Sequence, residues 1–183
     1  MSQYGWTLVL DACDSVVPYT ILGDDTDNLA TTTNHITGTT AIEWDKVNGG
    51  DDTIFAGADR TVAFDFTPLL AKGDDFWMDY LIGWSFYCSA TANISYVRVR
   101  VGTDAANCIE YRQAVGGLTA GMWSHAHAAL CTGYPVGAGC DWTAITYLAF
   151  ASAHTLETDL LADMAIDNIT IHRAPTTHVA VIG

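Results

Sequence analysis

Apolar and polar residues alternate along much of this 183-residue chain. In "ISYVRVRV" (94–101), Val97, Val99 and Val101 fall on one side of an extended backbone, with Tyr96, Arg98 and Arg100 on the other. That is the pattern of a half-buried antiparallel strand. Similar runs recur between clusters of Gly, Asp, Asn and Thr. They predict strands at 6–11, 40–46, 61–66, 78–88, 94–102, 108–113, 122–130, 144–151 and 164–172. Helix is scarce: "HTLETDLLADM" (154–164) has room for a turn or two and "TPLLAKG" (67–73) for one. Loops are expected at 23–38, 46–60 and 102–107. About nine strands joined by turns predict an all-β fold, an antiparallel two-sheet jelly-roll β-sandwich. It forms one domain over 1–173, and an apolar C-terminal tail or arm covers 174–183.

Composition agrees with this reading. The acidic residues are 18 Asp against three Glu, and there are 23 Thr and 16 Gly. Asp favours turns because its short side chain bonds the local backbone, and Thr suits strands. Half of the residues are hydrophobic and 15% are charged, which is the balance of a globular chain. Seven Lys and Arg against 21 Asp and Glu give a formal charge of -14. Nucleic acid and an anionic membrane surface are therefore excluded as partners. "MSQYGWTLVL" has neither a basic segment nor a long apolar run, so no signal peptide or membrane span is expected.

The chemistry-bearing residues are scattered. Five cysteines (13, 88, 108, 131 and 140) have no CxxC spacing, which favours buried thiols. Cys131 and Cys140 bracket "TGYPVGAG" and are the pair placed to bridge under oxidising conditions. In "GMWSHAHAAL" (121–130), His125 and His127 sit two apart and share one face of a strand. A His-x-His metal pair of the cupin kind needs a Glu soon after it and a converging third ligand, and the chain supplies neither at that spacing. No GxSxG elbow, P-loop, HExxH or Cys–His motif is present, so no enzyme activity is expected.

The order of "LVLDACDS" (8–15), "GTTAIEWDK" (38–46), "IGWSFYC" (82–88), "VRVRVGTDAANCIEY" (97–111), "GMWSHAHAAL" (121–130), "DWTAITYLAF" (141–150) and "MAIDNITIH" (164–172) resembles a known group. It is similar to the jelly-roll domains shared by carbohydrate-binding modules, galactose-binding-like domains and structural proteins of tailed phages. The resemblance implies a Ca²⁺ between the first and last strands, with Asp11, Asp14 and Asp167 at the matching positions. "GDDTDN" (23–28) is an alternative acidic cluster. It also implies that Trp44, Trp84, Trp123 and Trp142 are core residues, and that Ala126, Ala128 and Leu130 face inward with His125 and His127 outward, toward solvent or an interface. Trp77 and Tyr134, near turns, are the candidate exposed contacts for a glycan.

Two functions follow from the resemblance. In the first, the chain is a capsid decoration (cement) protein of a phage virion. It would be made in the host cytoplasm and bind the major capsid protein and copies of itself as a dimer or trimer. Its contact residues would be Val179, Val181 and Ile182 in the tail, together with "MSQYGW" at the N-terminus. The second is a carbohydrate-binding module or adhesive domain recognising surface glycans.

Overall fold

The computed structural model describes residues 7–50, 53–71 and 76–173. Twelve strands are present there: β1 (Thr7–Asp11), β2 (Thr20–Ile21), β3 (Thr26–Thr32), β4 (Ala41–Lys46), β5 (Phe55–Thr61), β6 (Tyr80–Cys88), β7 (Ile94–Asp104), β8 (Asn107–Ala114), β9 (Trp123–Ala129), β10 (Tyr134–Val136), β11 (Tyr147–His154) and β12 (Leu161–Arg173). Two four-residue helices, α1 (Thr67–Leu70) and α2 (Phe76–Asp79), lie between β5 and β6.

The strands form two antiparallel six-stranded sheets. In the first the order is β3-β4-β12-β6-β9, with β1 paired to the distal half of β12. In the second it is β10-β8-β7-β11-β5-β2. This is the jelly-roll sandwich expected from the alternation. Ile42 and Trp44 of β4, Ile82, Trp84 and Phe86 of β6, and Met164 and Ile166 of β12 point inward and are buried. They meet Val97, Val99 and Val101 of β7 and Leu148 and Phe150 of β11. At the centre, the Trp44 ring lies 4.9 Å from Phe150 and 5.9 Å from Phe86. Buried aromatic pairs of this kind contribute about 0.5–1.5 kcal/mol each beyond their area.

Several expectations need correction. The strand expected at 61–66 ends at Thr61. Its pairing partner β11 faces 55–61, so the apolar run after Thr61 leads into α1 instead. The chain is helical at Met78 and Asp79 before β6 begins. The helix expected at 154–164 is a turn followed by β12. The Asp159 carboxylate accepts the Leu156 N–H (2.7 Å) and the Thr155 hydroxyl (2.8 Å), which fixes a tight reversal. The loop expected at 23–38 contains β3, whose "TDNLATT" has too few apolar residues for alternation to show. Among the described residues, all five cysteines are unbridged: Cys13, Cys88 and Cys108 are buried, Cys140 is half-buried and Cys131 is exposed. No helix of the described residues is long and apolar enough to cross a membrane.

Candidate functional site

Sheet register brings one row of side chains together on the outer face of the first sheet. Trp123 of β9 pairs with Tyr87 of β6, Tyr87 with Ala165 of β12, Ala165 with Glu43 of β4, and Glu43 with Ala30 of β3. All five share the parity opposite to the buried core residues, so the row crosses five strands. It spans about 19 Å at the ordinary interstrand spacing. The Trp123 and Tyr87 rings form one end, 5.8 Å apart and tilted by 50°.

The other end is a groove of about 530 Å³ lined by Asn28, Leu29, Ala30, Glu43, Asp45 and Asp163. Two bulges shape it. Asn28 in β3 (φ 53°) and Asp163 in β12 (φ 57°) both adopt the left-handed conformation, and the ladder slips beside each. Asp45, on the strand between them, holds both: it accepts the Asn28 side-chain amide and the Asp163 N–H (2.9 Å).

A second row starts from His127. Its neighbour on β6 is Gly83, and Gly83 pairs with Thr170 of β12. The absent side chain at Gly83 lets imidazoles from β9 and β12 meet across β6. A Cβ there would lie 2.9 Å from both His127 Nδ1 and His172 Cε1. The two rings stand edge to face at 5.0 Å. Burial lowers the pKa of both histidines, and a neighbouring imidazole lowers each further, which favours the neutral form of each. His125 lies between the two rows, with Nδ1 2.9 Å from Ser85 Oγ. His125 and His127 point outward and Ala126 and Ala128 pack on the core, as the resemblance implies.

The loop 33–40 crosses this face. Asp167 of β12 accepts the N–H groups of Ile36 (2.7 Å) and Thr37 (2.8 Å) and the Thr37 hydroxyl (3.2 Å). Two strands away, the Trp123 indole N–H donates to Asn34 Oδ1 at 3.0 Å. Asp14 anchors the far side of the loop through the N–H groups of Thr39 (2.7 Å) and Thr40 (3.0 Å). These hydrogen bonds hold the Asp14 carboxyl below its usual pKa.

The three aspartates expected to hold calcium are therefore not a ligand set. Asp14 and Asp167 hold the loop. Asp11 accepts the Tyr19 hydroxyl (2.6 Å) and pairs with Arg60 (2.8 Å). A calcium ion takes six to eight oxygens, and these carboxylates face N–H and O–H donors instead. Among the described residues, no three His, Cys, Asp or Glu side chains gather for a metal.

Trp123 is the other correction. It was expected in the core but lies on the outer face, because it shares parity with His125 and His127. Trp44 and Trp84 are buried as expected, and Trp142 packs partly buried against Phe66. Trp77 (47% exposed) sits on α2 and Tyr134 (57% exposed) on β10 of the second sheet, so neither joins the rows. Val179, Val181, Ile182 and the N-terminal "MSQYGW" lie outside the described residues. Sequence reasoning missed Asn28, Glu43, Asp45, Tyr87 and Asp163. The alternation in "AIEWDK" already separated Glu43 and Asp45 from the buried Ile42 and Trp44.

No family model matches the chain, and no curated protein does. Solved structures do. A family 11 carbohydrate-binding module of a cellulosomal cellulase of Clostridium thermocellum superposes with a TM-score of 0.59 at 12% identity, over 92% of this chain and 95% of that one. The family 11 module from that organism in complex with a β-1,3-1,4-mixed-linked tetrasaccharide gives 0.58 at 12%, over 92% and 96%. An exo-β-agarase gives 0.60 at 10% identity, over 92% of this chain and 25% of that one. The fold is that of a carbohydrate-binding-module jelly roll. At these identities the likeness extends to the fold alone.

Proposed function

We propose that this domain binds carbohydrate, without cleaving it, on the outer face of its first sheet. The observation that carries this reading is the row from Trp123 and Tyr87 to Glu43. It places an aromatic platform and hydrogen-bonding carboxylates on one rigid surface, too long for a single sugar ring. Aromatic rings offer an apolar face to a pyranose, and fixed polar groups orient its hydroxyls. The outward strand positions of this face carry no Lys or Arg, so a neutral glycan suits it better than an anionic one. The solved modules of the same fold support the reading.

The test is native affinity electrophoresis in gels containing mixed-linkage β-glucan, xylan or agarose. Retardation by one of them, lost in Trp123→Ala with the fold intact by circular dichroism, is the expected result. Wild-type mobility unchanged in every glycan, or retardation that survives Trp123→Ala, would overturn it. The decoration reading rests on the sequence resemblance. The segments it uses for contact lie outside the described residues, and the structural neighbours favour the carbohydrate reading.

A further inference from the structure

Among the described residues, five strands lie at sheet edges, and four of them are blunted. β2 and β10 are two and three residues long, and β10 contains Pro135. β1 and β3 each slip in register and carry an aspartate at the slip, Asp11 and Asp27. Short strands, proline, bulges and charges are the ordinary means of keeping an edge from pairing with another chain. β9 has none of them. Its seven residues, "WSHAHAA", pair with β6 in unbroken register from Trp123 to Ala129. Among the described residues, no strand lies on its other side.

Charge singles out the same edge. The chain has a formal charge of -14, yet residues 113–140 contain no Asp, Glu, Lys or Arg. β9, the turns on either side of it and β10 all fall in that block. Two copies of so acidic a molecule repel, and the repulsion is least where no carboxylates are brought face to face. The ends of the strand are apolar and exposed as well. Met122, just before β9, is 61% exposed. At the other end, α2 packs against β9 and the turn that follows it, and carries the exposed Trp77 and Met78.

We propose that β9 is an interaction surface for a second copy of this chain, the two strands pairing antiparallel about a two-fold axis at Ala126. That register sets Ala126 opposite Ala126, His125 opposite His127 and Trp123 opposite Ala129 of the other copy. The inward residues at the seam, Ser124, Ala126 and Ala128, are small, so the two copies meet there without crowding. The same two-fold carries Met122 of each copy toward Trp77 and Met78 of the other, an isologous contact made twice. The two first sheets become one continuous sheet, and their outer faces look the same way. With glycan bound on those faces the pair is bivalent, which strengthens retention on a polymer. The self-pairing itself does not rest on the carbohydrate reading.

The experiment is sedimentation velocity of the full chain from about 1 µM to about 1 mM. The wild type is expected to pass from monomer to dimer over that range. Raising salt from about 0.01 M to about 0.15 M should strengthen the dimer, because salt screens the repulsion between acidic copies. The double variant His125→Asp, His127→Asp sets carboxylates opposite each other at the seam. It should stay monomeric, with its far-UV circular dichroism unchanged. A wild type that is monomeric throughout would overturn the proposal, as would a dimer that persists in the folded double variant or one that salt dissociates. If the double variant does not fold, oxidative cross-linking in a Cys131→Ser background decides, since Cys131 is the exposed thiol. Ala126→Cys, on the two-fold axis, is expected to give a disulfide-linked dimer, and Ser124→Cys, which faces Ala128 of the other copy, is not. No cross-link at 126, or equal cross-linking at both positions, sinks it.

Discussion

The outer faces of the two sheets use the same strand geometry in opposite ways. On the second sheet, Glu110 of β8 is 1% exposed and accepts from Arg98 (3.2 Å), Arg100 (2.7 Å) and Arg112. Arg98 lies 3.5 Å from the Phe55 ring centre, bridging from β7 over β11 to β5. Arg112 lies between Tyr96 (4.5 Å) and Tyr134 (4.7 Å). Beneath this lattice the outward Ala149, Ala151 and Ala153 of β11 are buried. That face is sealed by its own side chains. On the first sheet the corresponding positions hold a tilted Trp–Tyr pair, an acidic groove and two imidazoles over a glycine, with one loop laid across. A sheet face closed by mutual ion pairs and ring stacking contributes stability. A face whose polar groups point at a groove is left available to a ligand.

Four changes would break or sharpen that contrast. The largest effect is expected from Glu110→Gln, which leaves three arginines around an uncharged amide. Removing one partner from a buried charge network costs about 3–5 kcal/mol. Urea unfolding should show that loss while glycan retention is unchanged. A stability change near zero would mean that solvent, not Glu110, compensates the arginines.

Acidification follows in size. His154, on the inner face of β11, has its pKa lowered to about 4 by burial first and then by the charge of Lys46. Its folded value lies below the unfolded one, so the unfolded chain takes up the proton first as pH falls. Stability is therefore fully present above about pH 6.5 and is lost toward pH 4, by up to about 3 kcal/mol. His127 and His172 on the first sheet act in the same direction. Unfolding measured between pH 7 and pH 4 should slope downward, with a flatter slope in His154→Gln. Equal slopes in the two proteins would remove His154 from the account.

A matched pair of ring deletions comes next. Trp123→Ala should weaken glycan affinity by about 2 kcal/mol, roughly 30-fold, which is the scale of one buried aromatic contact. Tyr134→Ala, on the sealed face, should leave affinity unchanged. Isothermal titration of both variants checks the contrast, and the reverse outcome would move the ligand to the second sheet. The smallest effect is Gly83→Ala. Its new methyl would meet both imidazoles at 2.9 Å, and overpacking of this kind costs roughly 1–2 kcal/mol. Thermal unfolding would show it, and the imidazole NMR shifts of His127 and His172 should move together.

Much of the fold was legible in the chain. The runs around Val97–Val101, Ile82–Phe86 and Met164–Ile166 each alternate or stay apolar for long enough to declare a strand and its buried side. Where polar residues fill a strand, as in β3, or where it is three residues long, as in β10, periodicity has too few apolar points to register. The candidate site was legible only in part. The resemblance set His125 and His127 outward and Trp123 in the core, although the two-residue period of a strand places all three on one face. Glu43 and Asp45 stood out by parity within their own strand, but nothing local joined them to Tyr87 or Trp123.

By itself the sequence determined the sheet-forming segments, their buried sides, the turn-rich all-β class and the excess of negative charge. These depend on neighbours within a few residues, where the two-residue period of a strand and the backbone-bonding habit of Asp act directly. The tertiary structure decided which outward residues meet. It set Trp123 in line with Glu43 across five strands, brought His172 over Gly83 to His127, turned Asp14 and Asp167 from suspected metal ligands into anchors for a loop, and put Lys46 against Asp25. Each of these depends on sheet order and register, which are settled by the packing of the whole core and leave no mark on the local spacing of residues.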